Sequence, residues 1–166
     1  MKKILIVLSI TFLASCNNNK MAYVDNTVLI KEYKNMKSTE ERFKKKSEAL
    51  QNELDSIARD FQQEVDNYKM ASEEMTEKER QKKETQLMQR QQQLQRQQQA
   101  KSQRLREESD QVIDSLIDEV RDFVSNYGEE HNYTFILGSN ESANIMYAEK
   151  GKDITQDVLK ELNAEE

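Results

Sequence analysis

From Met36 to Met75 the apolar side chains fall into two interleaved series seven residues apart, and no proline stands anywhere in the 166 residues to break the helix they imply. Met36, Phe43, Leu50 and Ile57 form one series, and Leu54, Phe61, Tyr68 and Met75 form the other. That is the a/d seam of a helix packed along a partner helix. Ser47 and Glu64 interrupt it. Around Ala71 to Glu79 the rhythm resets, and Thr76 with Glu79 has the T-x-x-E spacing of a capping box, which predicts the start of a second helix. Its apolar residues are Leu87, Leu94, Leu105, Val112, Leu116, Val120, Phe123 and Tyr127, and it is expected to end near Gly128, a suitable C′ residue. The prediction is an antiparallel helical hairpin over residues 34–127, with arms of roughly 40 and 50 residues reaching about 60 Å or more at 1.5 Å per residue.

Between Gln86 and Gln99 there are nine glutamines and only Leu87, Met88 and Leu94 as apolar residues. Good helix formers keep this stretch helical, but its seam is weakly held and the arm is expected to flex there. Met36, Met70, Met75 and Met88 read as gap fillers between the arms, or as adaptable contacts with varied apolar segments. With 36% hydrophobic residues and a mean hydropathy of -0.97, the chain has too little apolar surface for a compact ball, so an elongated form is expected.

The same composition excludes several chemistries. Glycine occurs only at Gly128, Gly138 and Gly151, so neither a dinucleotide-binding nor a P-loop phosphate cradle can be written. The single His131 and single Cys16 cannot make a metal cluster, and no metal or cofactor is expected. The carboxylate pairs Glu73–Glu74 and Glu129–Glu130 read as solvated surface rather than as a catalytic acid and base, and the protein is not expected to be an enzyme.

Lys2 and Lys3 precede an apolar run from Ile4 to Ala14, long enough for the h-region of an export signal but short of the ~20 residues that span a bilayer. Leu13-Ala14-Ser15-Cys16, followed by Asn17 to Asn19, resembles a bacterial lipoprotein signal in which Cys16 becomes the lipidated first residue. An ordinary secreted protein with one free thiol is the alternative. The expected organisation is a signal peptide at 1–15, a lipidated tether at 16–20, the hairpin at 34–127, and a β-containing body made from 21–33 and 128–166. The expected location is outside the cytoplasm, in the cell envelope at a membrane.

Charge is distributed unevenly. Residues 34–106 carry 17 basic and 13 acidic side chains, whereas 107–166 carry 4 basic and 16 acidic. Within the basic part lie Lys78, Arg80, Lys82, Lys83, Arg90, Arg96, Lys101, Arg104 and Arg106, against only Glu79 and Glu84. These nine are the candidates for contact with an anionic polypeptide or surface; a solvated helix face is the plain alternative. Export argues against nucleic acid as the partner.

Both ends of the chain read as strands. Met21 to Val24, Tyr133 to Leu137 and Asn144 to Ala148 are short apolar runs, the last two joined by a turn-rich stretch at 138–142. A final helix follows, which Thr155 can cap, with Ile154 and Leu159 as a hydrophobic staple and Val158 and Leu162 on its buried face. Three strands make a marginal sheet with raw edges, so pairing between subunits is expected through Tyr23, Val24, Phe135, Ile136, Leu137, Ile145, Met146 and Tyr147. The fold class is α+β, a small sheet body with a long coiled-coil hairpin.

This order of elements resembles the Skp/OmpH family of periplasmic outer-membrane-protein chaperones. The resemblance rests on Met21-Ala22-Tyr23-Val24-Asp25 with Leu29 and Tyr33 entering the first arm. It rests also on Tyr133 to Leu137, Ile145 to Ala148 and Asp153 to Leu159. It implies a homotrimer in which the strands share a barrel and three hairpins enclose unfolded outer-membrane β-barrel proteins, without ATP. An anchored coiled-coil spacer or scaffold of the envelope is the competing reading; the strand-forming ends and the basic arm count against it.

Overall fold

The computed structural model describes residues 20–140 and 144–165. The expected signal peptide and Cys16 lie outside the described residues. Among the described residues the elements are β1 (Met21–Asp25), α1 (Asn26–Glu32), α2 (Lys34–Ala71), α3 (Glu77–Glu130), β2 (Phe135–Ser139) and α4 (Thr155–Leu162). No helix among them is long and apolar enough to cross a membrane. They group into two compact units, one made of the residues up to Ile30 and from Val120 onward, the other Lys31–Glu119.

The second unit contains most of the expected hairpin, whose second arm runs on from Val120 into the other unit. Three ties cross its seam: Tyr33 to Glu119, Lys46 to Glu108 and Tyr68 to Glu84. A fourth joins Lys101 to Glu53. Each step up α2 is matched by a nearly equal step down α3, which makes the pair antiparallel and in constant register. The heptad residues face inward as predicted, but unequally. Tyr33, Met36, Phe43 and Leu116 are buried, whereas Leu50, Leu54, Ile57, Phe61 and Tyr68 are only half-buried. The seam is tight at the Tyr33 end and loosens toward the tip.

Ser47, where the apolar rhythm fails, borders a cavity of about 330 Å³ between Phe43, Leu50, Leu54 and Leu105. At Glu64 the fault is repaired: Glu64 is exposed and Val65 takes the inward place.

The tip forms as the sequence predicts. Thr76 donates through its amide (2.9 Å) and hydroxyl (2.6 Å) to the Glu79 carboxylate, and the return bond from the Glu79 amide to Thr76 Oγ1 is longer, at 3.4 Å. The Thr76 hydroxyl and amide hold the Glu79 carboxyl below its ordinary value. A carboxyl depressed on folding stabilises fully above its unfolded pKa and loses that contribution as pH falls through the lowered folded value. Thr76→Ala is therefore expected to speed hydrogen exchange at the Glu79 and Arg80 amides at neutral pH. In strong acid, once Glu79 is protonated, the gap between variant and parent should narrow. Equal exchange at neutral pH would show that the box does not hold the helix start.

Two helix ends differ from expectation. Gly128 does not terminate α3, which runs on to Glu130. The stop is a Schellman motif in which Asn132, at φ 55°, takes the left-handed position, the Tyr133 amide reaches Gly128 O (2.8 Å) and the Asn132 amide reaches Glu129 O (3.2 Å). Asparagine tolerates that conformation through its short polar side chain. Gly128 serves close packing instead, because a Cβ there would lie 3.2 Å from Ile136 Cδ1. Likewise Thr155 does not cap α4 with its side chain. The Asp153 carboxylate accepts from the Thr155 amide (2.9 Å) and hydroxyl (2.5 Å), which frees Thr155 Oγ1 to accept from the Asp25 amide at the end of β1 (2.9 Å).

In the other unit, β1 and β2 pair in parallel, with Met21 opposite Phe135 and Asp25 opposite Ser139. Parallel strands need a long crossover, and the helices supply it. The second edge of β1 is covered by residues 152–154, through Tyr23 N to Lys152 O (2.8 Å) and Ile154 N to Tyr23 O (3.0 Å). β2 begins two residues later than predicted. The third predicted strand is absent: Asn144 to Ala148, with Ile145, Met146 and Tyr147, lies outside any strand. An apolar run becomes a strand only where its backbone groups pair with an edge, and this run does not pair with the outer edge of β2. Ala22, Val24, Leu29, Ile154, Val158 and Leu162 form the buried core beneath the sheet.

Candidate functional site

The two faces of the sheet differ. Ala22 and Val24 point into the core and Ile136 packs toward Gly128. Successive side chains alternate between faces, so Met21, Tyr23, Phe135 and Leu137 share the outer face. There Phe135 remains 56% exposed, Leu137 46% and Met21 42%. These four form two cross-strand pairs, Met21 with Phe135 and Tyr23 with Leu137. The Tyr23 phenol is pushed above its ordinary value, first by burial and then by the Asp153 carboxylate, so it stays a neutral hydrogen-bonding group at physiological pH.

Met146 and Tyr147 are more exposed still, at 89% and 86%. Of the eight predicted assembly residues, then, the structure brings Tyr23, Phe135 and Leu137 onto one outer face and turns Val24 and Ile136 toward the unit's interior. Ile145, Met146 and Tyr147 lie outside that sheet.

The nine cations also divide. Lys78, Lys82, Arg90, Arg96, Arg104 and Arg106 are exposed along α3, whereas Arg80, Lys83 and Lys101 are half-buried. The cause is helical phase: Arg80, Leu87, Leu94 and Lys101 recur every seven residues, so two of the cations occupy seam positions. There Arg80 pairs with Glu77 at 2.5 Å and Lys101 with Glu53. Lys78, Lys82 and Arg96 fall on the opposite side of the helix, separated largely by glutamine. Across the seam, the hydrogen bond from Tyr68 to Glu84 raises the phenol's pKa, and the Lys46 ammonium lowers that of Glu108.

Sequence reasoning missed two arrangements. At the root of the hairpin Tyr33 interrupts the first helix with an extended backbone (φ -63°, ψ 127°). Its hydroxyl donates to Glu119 Oε1 (2.6 Å) and accepts from Asn35 Nδ2 (3.0 Å). At the end of α3, Tyr127 stacks on His131 with ring centroids 3.9 Å apart, and Tyr133 lies 6.3 Å away. Lys20 Nζ caps this group, 3.9 Å from the Tyr133 ring and 2.8 Å from His131 O. No heptad or strand pattern signals the Tyr33–Glu119 tie or the Lys20 cap, because each joins residues remote in sequence, whereas the four-residue spacing of Tyr127 and His131 is a signal that could have been read.

The family profile described as "Outer membrane protein (OmpH-like)" matches residues 20–162. The chain belongs to the OmpH-like family. The match takes in both strands, the hairpin and α4, and so spans every described element of this OmpH-like chain. Among solved structures, it is similar to a crystal structure of an OmpH-like protein from Caulobacter crescentus CB15, described as a candidate outer membrane chaperone. The TM-score is 0.78 at 14% identity, covering 88% of this chain and 85% of that one. That likeness establishes the fold: a small sheet joined by a long helical hairpin. No curated protein sequence matches the chain.

Proposed function

We propose that this OmpH-like protein is a periplasmic holdase that keeps unfolded outer-membrane β-barrel proteins from aggregating, and that it works as a homotrimer anchored through a lipid on Cys16. The observation that carries this reading is the unfinished sheet. A water-soluble sheet does not keep Phe135, Leu137 and Met21 exposed on one face without a partner to cover them. Pairing between copies buries that face and the outer edge of β2, and gives Ile145, Met146 and Tyr147 an edge to join.

Three hairpins then surround a shared space. An unfolded barrel strand in water exposes alternating apolar side chains and unpaired backbone groups, and satisfies both only after closing in a bilayer. Many weak contacts hold it tightly in sum while each releases quickly, so no nucleotide is needed. The half-buried seam residues supply apolar contacts, the exposed cations attract acidic segments, and the loosening of the seam toward the tip lets the space fit clients of different size. A spacer or scaffold has no use for the exposed sheet face.

Processed protein is expected to suppress aggregation of a urea-diluted outer-membrane β-barrel at near one trimer per client, and to bind more weakly as salt is raised. Absence of suppression at every ratio would favour the scaffold. Replacing Lys78, Lys82 and Arg96 together by glutamine should flatten the salt dependence while leaving the fold intact.

A further inference from the structure

We propose that the cavity between the arms of the hairpin is a receptor for one aromatic side chain, tyrosine or tryptophan, of an unfolded outer-membrane β-barrel strand. The inference rests on the holdase reading and deepens it, because it assigns to one place on the arm one class of client side chain.

The cavity holds about 330 Å³. A space of ~150 Å³ lined by leucine, isoleucine and phenylalanine is enough to take up benzene, so this one admits a phenol or an indole through its open mouth. Its floor is apolar: Phe43 is buried, and Leu50, Leu54 and Leu105 are half-buried. Its rim is polar and exposed, with Ser47 on one arm and Ser102, Arg106 and Asp110 on the other. Two ion pairs cross the seam at the same level, Lys46–Glu108 and Lys101–Glu53, but none of those four residues lines the cavity. They tie the arms together and leave the space open.

An apolar floor under a polar rim suits a side chain with an apolar body and one polar tip, which describes tyrosine and tryptophan. Arg106 and Asp110 stand one turn apart on α3, and among the described residues neither has an ion-pair partner. The guanidinium can stack on the face of an entering ring, and the carboxylate can accept from a phenol O–H or an indole N–H. An aliphatic side chain would cover the floor but give neither charge a partner. The client supplies the match. Strands of an outer-membrane barrel are segments of about ten residues, and girdles of aromatic residues mark both membrane interfaces. Unfolded in water, those rings are among the largest apolar groups the strand exposes.

The sequence contains no tryptophan, so an indole brought by a ligand is seen without background. The probe is a soluble peptide of about ten residues that alternates valine with threonine around one central tryptophan, and its twin carries leucine in that place. Processed protein is expected to shift the emission of the tryptophan peptide to the blue and to bind it roughly tenfold more tightly than the twin, the step that one well-packed ring contributes. Ser47→Phe and Ser109→Phe, at lining positions on the two arms, put a ring of the protein's own into the space. Each should remove the blue shift and reduce the tryptophan peptide to the twin's affinity for the parent protein. Arg106→Gln, on the exposed rim, carries the test should either phenylalanine lower the helicity; it is expected to weaken the tryptophan peptide about threefold and the twin not at all. Equal affinity for the two peptides, or a tryptophan peptide bound as tightly by all three variants as by the parent, refutes the pocket. If the parent then still suppresses aggregation of a urea-diluted outer-membrane β-barrel, the holdase reading stands without it. If the parent suppresses no aggregation, the holdase reading falls, and the cavity's role toward clients falls with it.

Discussion

Leu137→Asp is expected to turn the assembled protein into a folded single chain and to abolish its protection of clients. In one chain Leu137 is 46% exposed on the outer face of the sheet, so a carboxylate there meets water and costs the isolated chain little. In a trimer three copies of the residue converge. Burying a leucine contributes ~1.5–3 kcal/mol. Because only 46% of Leu137 is left to bury in each copy, three lost contacts weaken association by about 2–4 kcal/mol, or roughly thirty- to a thousandfold, before the cost of burying three charges is added. Sedimentation should show a single-chain mass with parental helicity, and aggregation of an unfolded β-barrel should proceed as if no protein were added. A Leu137→Asp variant that keeps both its assembly and its activity would remove the outer face from the account.

The second large effect is expected at the root of the hairpin. Tyr33 is 1% exposed, and its ring packs where the helix is interrupted. Tyr33→Ala leaves a ring-sized void, for which aromatic-to-alanine changes cost ~3–5 kcal/mol. Tyr33→Phe keeps the ring and loses the hydroxyl's bonds, those with Glu119 and Asn35 among them. Glu119 is exposed and can take water instead, so this change should cost about 1 kcal/mol. Urea unfolding followed by circular dichroism separates the two. Equal losses would show that the hydroxyl, rather than the packed ring, secures the root.

The parts of the fold legible in the sequence are those governed by neighbours along the chain. The seam series and the Thr76–Glu79 box needed only local spacing, and both the hairpin and its tip appear where they were expected. Helix phase could have divided the cations as well: Arg80 and Lys101 share the seven-residue step of Leu87 and Leu94. Composition alone hid this, because it counts charge without direction.

The failures share a different cause. Gly128 was a reasonable C′ residue, but Asn132 can also adopt the left-handed conformation and lies where the Schellman bonds close. Asp153 outcompeted Thr155 for the helix start because the Thr155 hydroxyl was drawn to β1, far away in sequence. Asn144 to Ala148 has the composition of a strand, but composition does not supply an edge. For the same reason Val24 and Phe135, both apolar strand residues, have opposite fates: the pleat buries one and exposes the other, and only the register reveals which.

The most direct test of the account is the solution mass of the processed protein, measured by light scattering at micromolar concentration with far-ultraviolet circular dichroism on the same sample. The account predicts a mass three times that of the chain, collapsing to one chain in Leu137→Asp with helicity unchanged. A stable, fully helical single chain in the parent protein would contradict it, because no shared sheet would then exist to gather the hairpins around a client.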